Sequence, residues 1–363
     1  MARFADRPGD TPLTRIPENY SAGTERRWLV LGDGPDAGRK LFFFDKRVGA
    51  GAGPTVLFVH GNPECSYTYR MVISELEKRL PADGARIVAM DHIGFGLSDQ
   101  ARHEMVDMHH AGNLVQLVGA LDLHDVTLVV HDWGGPIGIG AFLLHSPERV
   151  RNLVVLNSTV FPIPPDGLTY ENFPVPVAFP WARSAKVTPD RNWGIHSAIV
   201  VTGEAAGRAR LMGSYTRLMI SQLAGRRRNA PSRAFEVFRD QFASRTNARS
   251  SKRMVCQTPV WGHGYTYEDR DGGVQDNHDF YREIQRLIGP TWGPSGQAIG
   301  VAGVNGSFDP LAKQSVLDQW REALPQIEGD LRVIDGETHF IEERRPEQVA
   351  DAILRLIAPG ADS

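Results

Sequence analysis

The sequence holds only two cysteines, Cys65 and Cys256, in 363 residues. Two thiols cannot build a disulfide framework or a Cys-rich zinc site, and the expectation is a pair of reduced thiols in a cytoplasmic protein. Long hydrophobic runs are also missing: none approaches the ~20 residues that span a bilayer. The N-terminus has no apolar stretch followed by a cleavage site, so it does not read as a secretory signal. An excess of charge of one sign is lacking, since 40 Lys+Arg stand against 43 Asp+Glu for a net charge of −3. That balance argues against a chain whose main task is holding nucleic acid or an anionic membrane. No metal is expected, because His60 and the pair His109–His110 lack a matching ligand set. No internal repeat is visible. The short basic cluster Gly225–Asn229 reads as a solvated loop.

What is present suits a soluble globular chain of one large domain or two modest ones. Hydrophobic residues are 41% and charged residues 23%. Residues 1–25 read as a polar lead-in. Residues 27–32 and 39–45 are β-favouring runs around a Gly/Asp turn, a hairpin signature. Short apolar runs then alternate with helical stretches: strands at 55–60, 86–91, 126–132 and 153–157, helices near 67–80, 107–121 and 135–146. Strands of this kind separated by helices predict a mostly parallel central sheet flanked by helices. After Asn157 the rhythm stops. Residues 161–296 are rich in Pro and aromatics, then helical near 196–224 and 231–247, then loop-like over 265–279, then helical from Phe280. The sheet rhythm resumes with strands at 297–304 and 330–336 and helices near 311–323 and 346–358. The expected organisation is an α/β core, 26–160 with 297–363, interrupted by a mainly helical cap over 161–296. An insertion after a strand end lies over the edge where open α/β sheets bind ligands.

The residues that carry chemistry sit at those strand ends. In His131-Asp132-Trp133-Gly134-Gly135 a strand runs into a helix through a sharp turn with Asp132 at its tip, the pattern of a nucleophile elbow. The alternative is an aspartate helix cap. A carboxylate nucleophile attacks sp3 carbon and leaves an ester that water must cleave. His60-Gly61-Asn62-Pro63-Glu64 follows an earlier strand, where a loop can lend a backbone N–H to an oxyanion hole. Residues 91–99 read as a structural Gly-rich turn, not a phosphate loop. His339, after the last strand, suits a general base. Asp309, after the strand before it, can hold the tautomer of His339 and stabilise its cation. The chain order Asp132, Asp309, His339 is nucleophile, acid, base, the order α/β-hydrolases use.

On HGNP, HDWGG and THFIEE the chain resembles α/β-hydrolases with an aspartate nucleophile, most closely haloalkane dehalogenases. The resemblance covers residues 27–160 and 297–358 and is loose over the cap. It implies an α/β-hydrolase fold, hydrolytic release of halide through an alkyl ester on Asp132, and halide held by the side-chain N–H groups of Asn62 and Trp133. No cofactor is implied, and the expected partner is a small apolar halogenated substrate. Two features depart from the pattern. Asn157 stands where some dehalogenases carry the acid, which leaves that role to Asp309. Glu64 is more typical of the related epoxide hydrolases. Those enzymes form a diol through the same ester and need two cap tyrosines, for which Tyr281 and Tyr215 are the candidates. A pocket that only binds a small ligand is the third reading; binding alone requires no nucleophile, acid and base together.

Overall fold

The two N-terminal apolar runs pair with each other. In the computed structural model, which describes residues 2–51, 53–164, 180–204, 232–269 and 272–358, β2 (Arg27–Val30) and β3 (Lys40–Val48) are antiparallel neighbours. The segment read as a lead-in adds an edge strand, β1 (Arg3–Ala5), antiparallel to β2. The rhythm that follows becomes β4 (Thr55–Val59), β5 (Ala85–Met90), β6 (Val126–His131) and β7 (Val150–Leu156), mutually parallel where they pair.

The continuous apolar runs follow from cover on both faces. Side chains alternate across a strand. Leu57 and Val59 of β4 and Leu128 and Val130 of β6 join one core cluster with the helices Asp107–Leu121 and Gly134–Leu143. Val56, Phe58 and Val129 join the other, with the helices Arg70–Arg79 and Pro346–Ile357. Neither face meets water, so apolar residues dominate both, and the buried Thr127 hydroxyl in β6 is satisfied by the Asn152 amide.

Between β7 and residue 300 the described residues form the helices Pro180–Val187, Trp193–Glu204, Arg233–Asp240, Arg245–Cys256 and His278–Trp292. Two sequence expectations need correction. The single helical stretch at 231–247 is two helices. Ser244 caps the second by accepting from the Asn247 N–H at 3.3 Å, and the Asn247 amide in turn donates to the Gln241 carbonyl. The stretch read as loop contains an antiparallel hairpin, β8 (Thr266–Asp269) with β9 (Gly273–Asp276). Its strands are four residues long and polar, so periodicity gave no signal. Cross-strand and tertiary bonds hold them instead: Thr266 to Asp276, and Gln275 to the Glu104 carbonyl. The helix expected over 196–224 starts at Trp193, and its part beyond Glu204, with Tyr215, lies outside the described residues.

β10 (Gly300–Gly306) and β11 (Leu331–Ile334) complete one nine-stranded sheet in the order β1-β2-β3-β5-β4-β6-β7-β10-β11. It is parallel from β5 to β11, so the carboxyl ends of β4, β6, β7, β10 and β11 open on one edge. No helix among the described residues is long and apolar enough to cross a membrane.

Candidate active site

Asp132 sits in the left-handed region, φ +50°. An L-residue adopts it only when its surroundings impose it. Here the strand must turn into the helix Gly134–Leu143 without clearance. A Cβ on Gly134 would stand 2.2 Å from the Val59 carbonyl oxygen, and one on Gly135 2.0 Å from Ser158 Oγ. The Ser158 hydroxyl donates to the Asp132 carbonyl at 2.5 Å and pins the turn from β7. The carboxylate is thereby thrown above the sheet edge.

Three further loops converge on it. The Asn62 backbone N–H, after β4, donates to Asp132 Oδ1 at 2.7 Å. His339, after β11, places Nε2 3.2 Å from Asp132 Oδ2. Its Nδ1 lies 2.5 Å from Oδ2 of Asp309, after β10. The other Asp309 oxygen accepts from the Leu311 N–H at 2.7 Å, which fixes the carboxylate plane. Asn157 grips the loop of His339: its amide donates to the carbonyls of His339 at 2.6 Å and Thr338 at 3.1 Å. Its neutral amide thus orients the loop that carries His339.

Burial alone would lower the His339 pKa, but the Asp309 and Asp132 carboxylates on its two nitrogens hold it well above the ordinary histidine value. Both carboxylates therefore favour the imidazolium form of His339. Removing the charge on Asp132 removes part of that pull.

A cavity opens above Asp132, lined by Asn62, Trp133, Trp193, Trp261, Asp309 and His339, with an apolar wall that includes Val200, Val255, Leu311 and Phe340. Trp133 stacks on Trp261, with ring centroids 4.0 Å apart and planes within 12°. The Trp261 indole N–H donates to the Thr159 carbonyl, whereas that of Trp133 makes no hydrogen bond among the described residues. The Asn62 side chain is held by Ser251 of the inserted segment. Its Nδ2 donates to the Ser251 carbonyl at 2.9 Å, which uses one of two N–H groups.

Asp132, Asp309, His339, Asn62 and Trp133 thus meet around one cavity. Tyr281 does not. It is buried beside Phe280 and faces the Asp107 carboxylate, and no tyrosine lines the cavity among the described residues. The reason is rotational: the helix His278–Trp292 turns Tyr281 toward the helix Asp107–Leu121, where the Asn277 amide also donates to Asp107. Tyr215 lies outside the described residues. Sequence reasoning missed Trp193, Ser251 and Trp261, which carry no spacing signal in a cap. It also missed the contacts among Glu64, His131 and Glu342. Each of these flanks a motif residue, and that adjacency was the available clue.

Comparison with known proteins agrees with this geometry at the level of fold. Residues 54–183 match the family model described as alpha/beta hydrolase fold. A cis-3-alkyl-4-alkyloxetan-2-one decarboxylase from Shewanella oneidensis is 38% identical over 131 residues, 35% of this chain and 38% of that protein. A haloalkane dehalogenase from Mycolicibacterium paratuberculosis is 26% identical over 304 residues, 83% of each chain. The structure of a haloalkane dehalogenase from Paraglaciecola agarilytica superposes with a TM-score of 0.65 at 17% identity, covering 96% of this chain and 98% of that one. The chain spans about two fifths of the length of the first two curated relatives it matches. It has the α/β-hydrolase fold.

Proposed function

We propose that this α/β-hydrolase-fold chain is a hydrolytic dehalogenase that converts a small haloalkane-type substrate to an alcohol and halide through an ester on Asp132. One observation carries the reading. The Asp132 carboxylate stands at the elbow between a backbone donor, Asn62, and a histidine whose far nitrogen is held by Asp309. A helix cap has no need of that set.

Substrate lies in the cavity beneath the inserted segment. An Asp132 oxygen attacks the carbon that bears the halogen; the new C–O bond forms as the carbon–halogen bond breaks, and halide leaves with the electron pair. The Trp133 indole N–H, unengaged among the described residues, and the remaining N–H of the Asn62 amide are donors for the departing anion. Esterification abolishes the Asp132 charge, so His339 loses one of the two carboxylates that favour its imidazolium, releases that proton to solvent and becomes a base. It takes a proton from water, and the hydroxide adds to the Asp132 carbonyl carbon. The backbone N–H group of Asn62, which already donates to Asp132 Oδ1, receives the oxyanion together with that of Trp133. The ester opens to alcohol and carboxylate. Asp309 stabilises the imidazolium and keeps Nδ1 protonated.

Epoxide hydrolysis through the same ester loses one of its proposed proton donors, because Tyr281 faces Asp107 rather than the cavity. The deciding experiment assays halide, diol and carbon dioxide across a panel of haloalkanes, epoxides and a cis-3,4-dialkyloxetan-2-one. Halide release with stoichiometric alcohol supports the proposal. Diol or carbon dioxide without any halide sinks it.

A further inference from the structure

Directly behind the nucleophile lies a set of ionisable groups that these steps do not use. Glu64, His131 and Glu342 are each fully buried. They belong to the loop that carries Asn62, to the elbow, and to the helical turn Ile341–Arg344 after His339. His131 Nδ1 lies 2.7 Å from Glu64 Oε1. Its Nε2 lies 2.9 Å from the His339 carbonyl oxygen and 3.7 Å from Glu342 Oε2. The His131 and His339 rings are 4.7 Å apart.

The chemistry of the contacts sets the protons. A carbonyl only accepts, so Nε2 carries hydrogen. With that proton alone, the Nδ1 lone pair would face the Glu64 carboxylate, acceptor against acceptor. Neither Glu64 oxygen has a hydrogen bond elsewhere among the described residues, and a buried anion without a partner is costly. The two carboxylates approach different ring nitrogens, so a metal ion on one nitrogen would not replace both contacts; a proton on each does.

We propose that His131 is a positioning residue, a buried imidazolium held by Glu64 and Glu342 that ties the His339 backbone to the loop of Asn62 and so aligns base and oxyanion donor for ester hydrolysis. The reaction step named here rests on the aspartyl-ester reading above.

Electrostatics agree with the geometry. Burial alone would lower the His131 pKa, yet Glu342 and Glu64 bring it up to about 9. Burial pushes Glu342 up to about 8. The two glutamates around one imidazole thus favour its imidazolium form against the cost of burial. Other titratable groups facing it are His60 after β4, Cys65, Tyr69, Glu343 and His339, with Asp132 next to His131 in the chain. His60 is held neutral by burial and does not compete for the charge.

The test uses the full-length enzyme labelled with 15N-histidine. Long-range 1H–15N spectra, assigned with His131→Asn and His339→Gln, report the proton on each ring nitrogen without any turnover. Both His131 nitrogens are expected to be protonated at pH 7. In single-turnover kinetics, Glu64→Gln should slow ester hydrolysis roughly 10- to 100-fold while the halide burst changes less than about twofold. The alkaline limb of ester hydrolysis should move to lower pH by about 1–3 units, because an anion that favours the imidazolium is gone. If Glu64→Gln does not fold, Glu342→Gln leaves both close contacts of His131 in place and should move the limb the same way by less. An unprotonated Nδ1 at pH 7, a stoichiometric divalent metal in the purified enzyme, or equal slowing of both steps with an unmoved limb overturns the proposal. Absence of any ester in wild type would refute the reaction reading and the positioning of that step with it, whereas the spectra alone decide the imidazolium.

Discussion

The Ser251 hydroxyl donates to Oδ1 of Asn62 at 2.5 Å, while the Ser251 backbone carbonyl accepts from Nδ2 of the same amide. A residue on the inserted helix Arg245–Cys256 thereby fixes which end of the Asn62 amide faces which way. Trp193, also from the inserted segment, donates its indole N–H to the Ser251 hydroxyl at 2.8 Å and locks the arrangement. The Asn62 amide is thus oriented from above, by the inserted segment, and not by the strand that precedes it.

Ser251→Ala should therefore lower stability by about 1–3 kcal/mol, since the Trp193 N–H and the Asn62 oxygen both lose a buried partner. First halide release should slow, because the amide is free to turn, while ester hydrolysis stays near wild type. Thermal unfolding and stopped-flow halide detection read the two effects separately. A slowed ester step would show that Ser251 supports the base instead.

Trp133→Phe keeps most of the stack on Trp261 but deletes the unengaged indole N–H. Loss of one donor to a developing anion costs roughly 2–4 kcal/mol of barrier by analogy with oxyanion-hole donors. The halide burst should slow accordingly. Tyr281→Phe, away from the cavity, should leave it unchanged.

His339→Gln removes the base but not the nucleophile. One equivalent of halide should appear, after which the enzyme stalls with the alkyl group on Asp132, visible as a mass adduct on the intact protein. Asp132→Ala should release none. An Asp132→Ala enzyme that still turns over would return Asp132 to the role of a helix cap.

Asp309→Asn should slow ester hydrolysis by up to roughly 10⁴-fold, the scale seen when the acid of a comparable triad becomes an amide. The amide neither stabilises the imidazolium nor enforces the Nδ1–H tautomer. Near-normal turnover would move the acid role to Glu337 or Asp335.

The pH behaviour of His339 has a definite sign. Its folded pKa is raised, so the stability from its paired imidazolium is fully present below the ordinary value of about 6.5 and is lost as pH rises through the raised value. The melting-temperature difference between wild type and His339→Gln should shrink as pH rises from 6 toward 10. Ester hydrolysis, which needs the neutral base, should show an acid limb that the halide burst lacks. An acid limb shared by both steps would argue against His339 as the base of the second step alone.

How much of this was legible differs by element. The β6 elbow was, because VVHDWGG places an apolar run, a polar tip and two glycines within seven residues, and the close approach at Gly134 demands that composition. Asp309 and His339 were, because each follows a strand whose apolar run is plain. The hairpin β8–β9 was not: its polar strands are stabilised by partners such as Glu104, far away in the chain. Ser251 was invisible for the same reason, lying 189 residues from Asn62.

Strand and helix periodicity, turn glycines and the order of polar residues at strand ends are local properties, set by backbone sterics and by which side chains avoid water. They determined the sheet, its crossovers and the chain order of Asp132, Asp309 and His339 at strand ends. Orientation is not local. Which way Tyr281 faces on its helix, which carboxylates meet His131, and which cap residue turns the Asn62 amide depend on how whole elements dock. Each of those contacts joins segments that no sequence spacing relates, so only packing in three dimensions decided them.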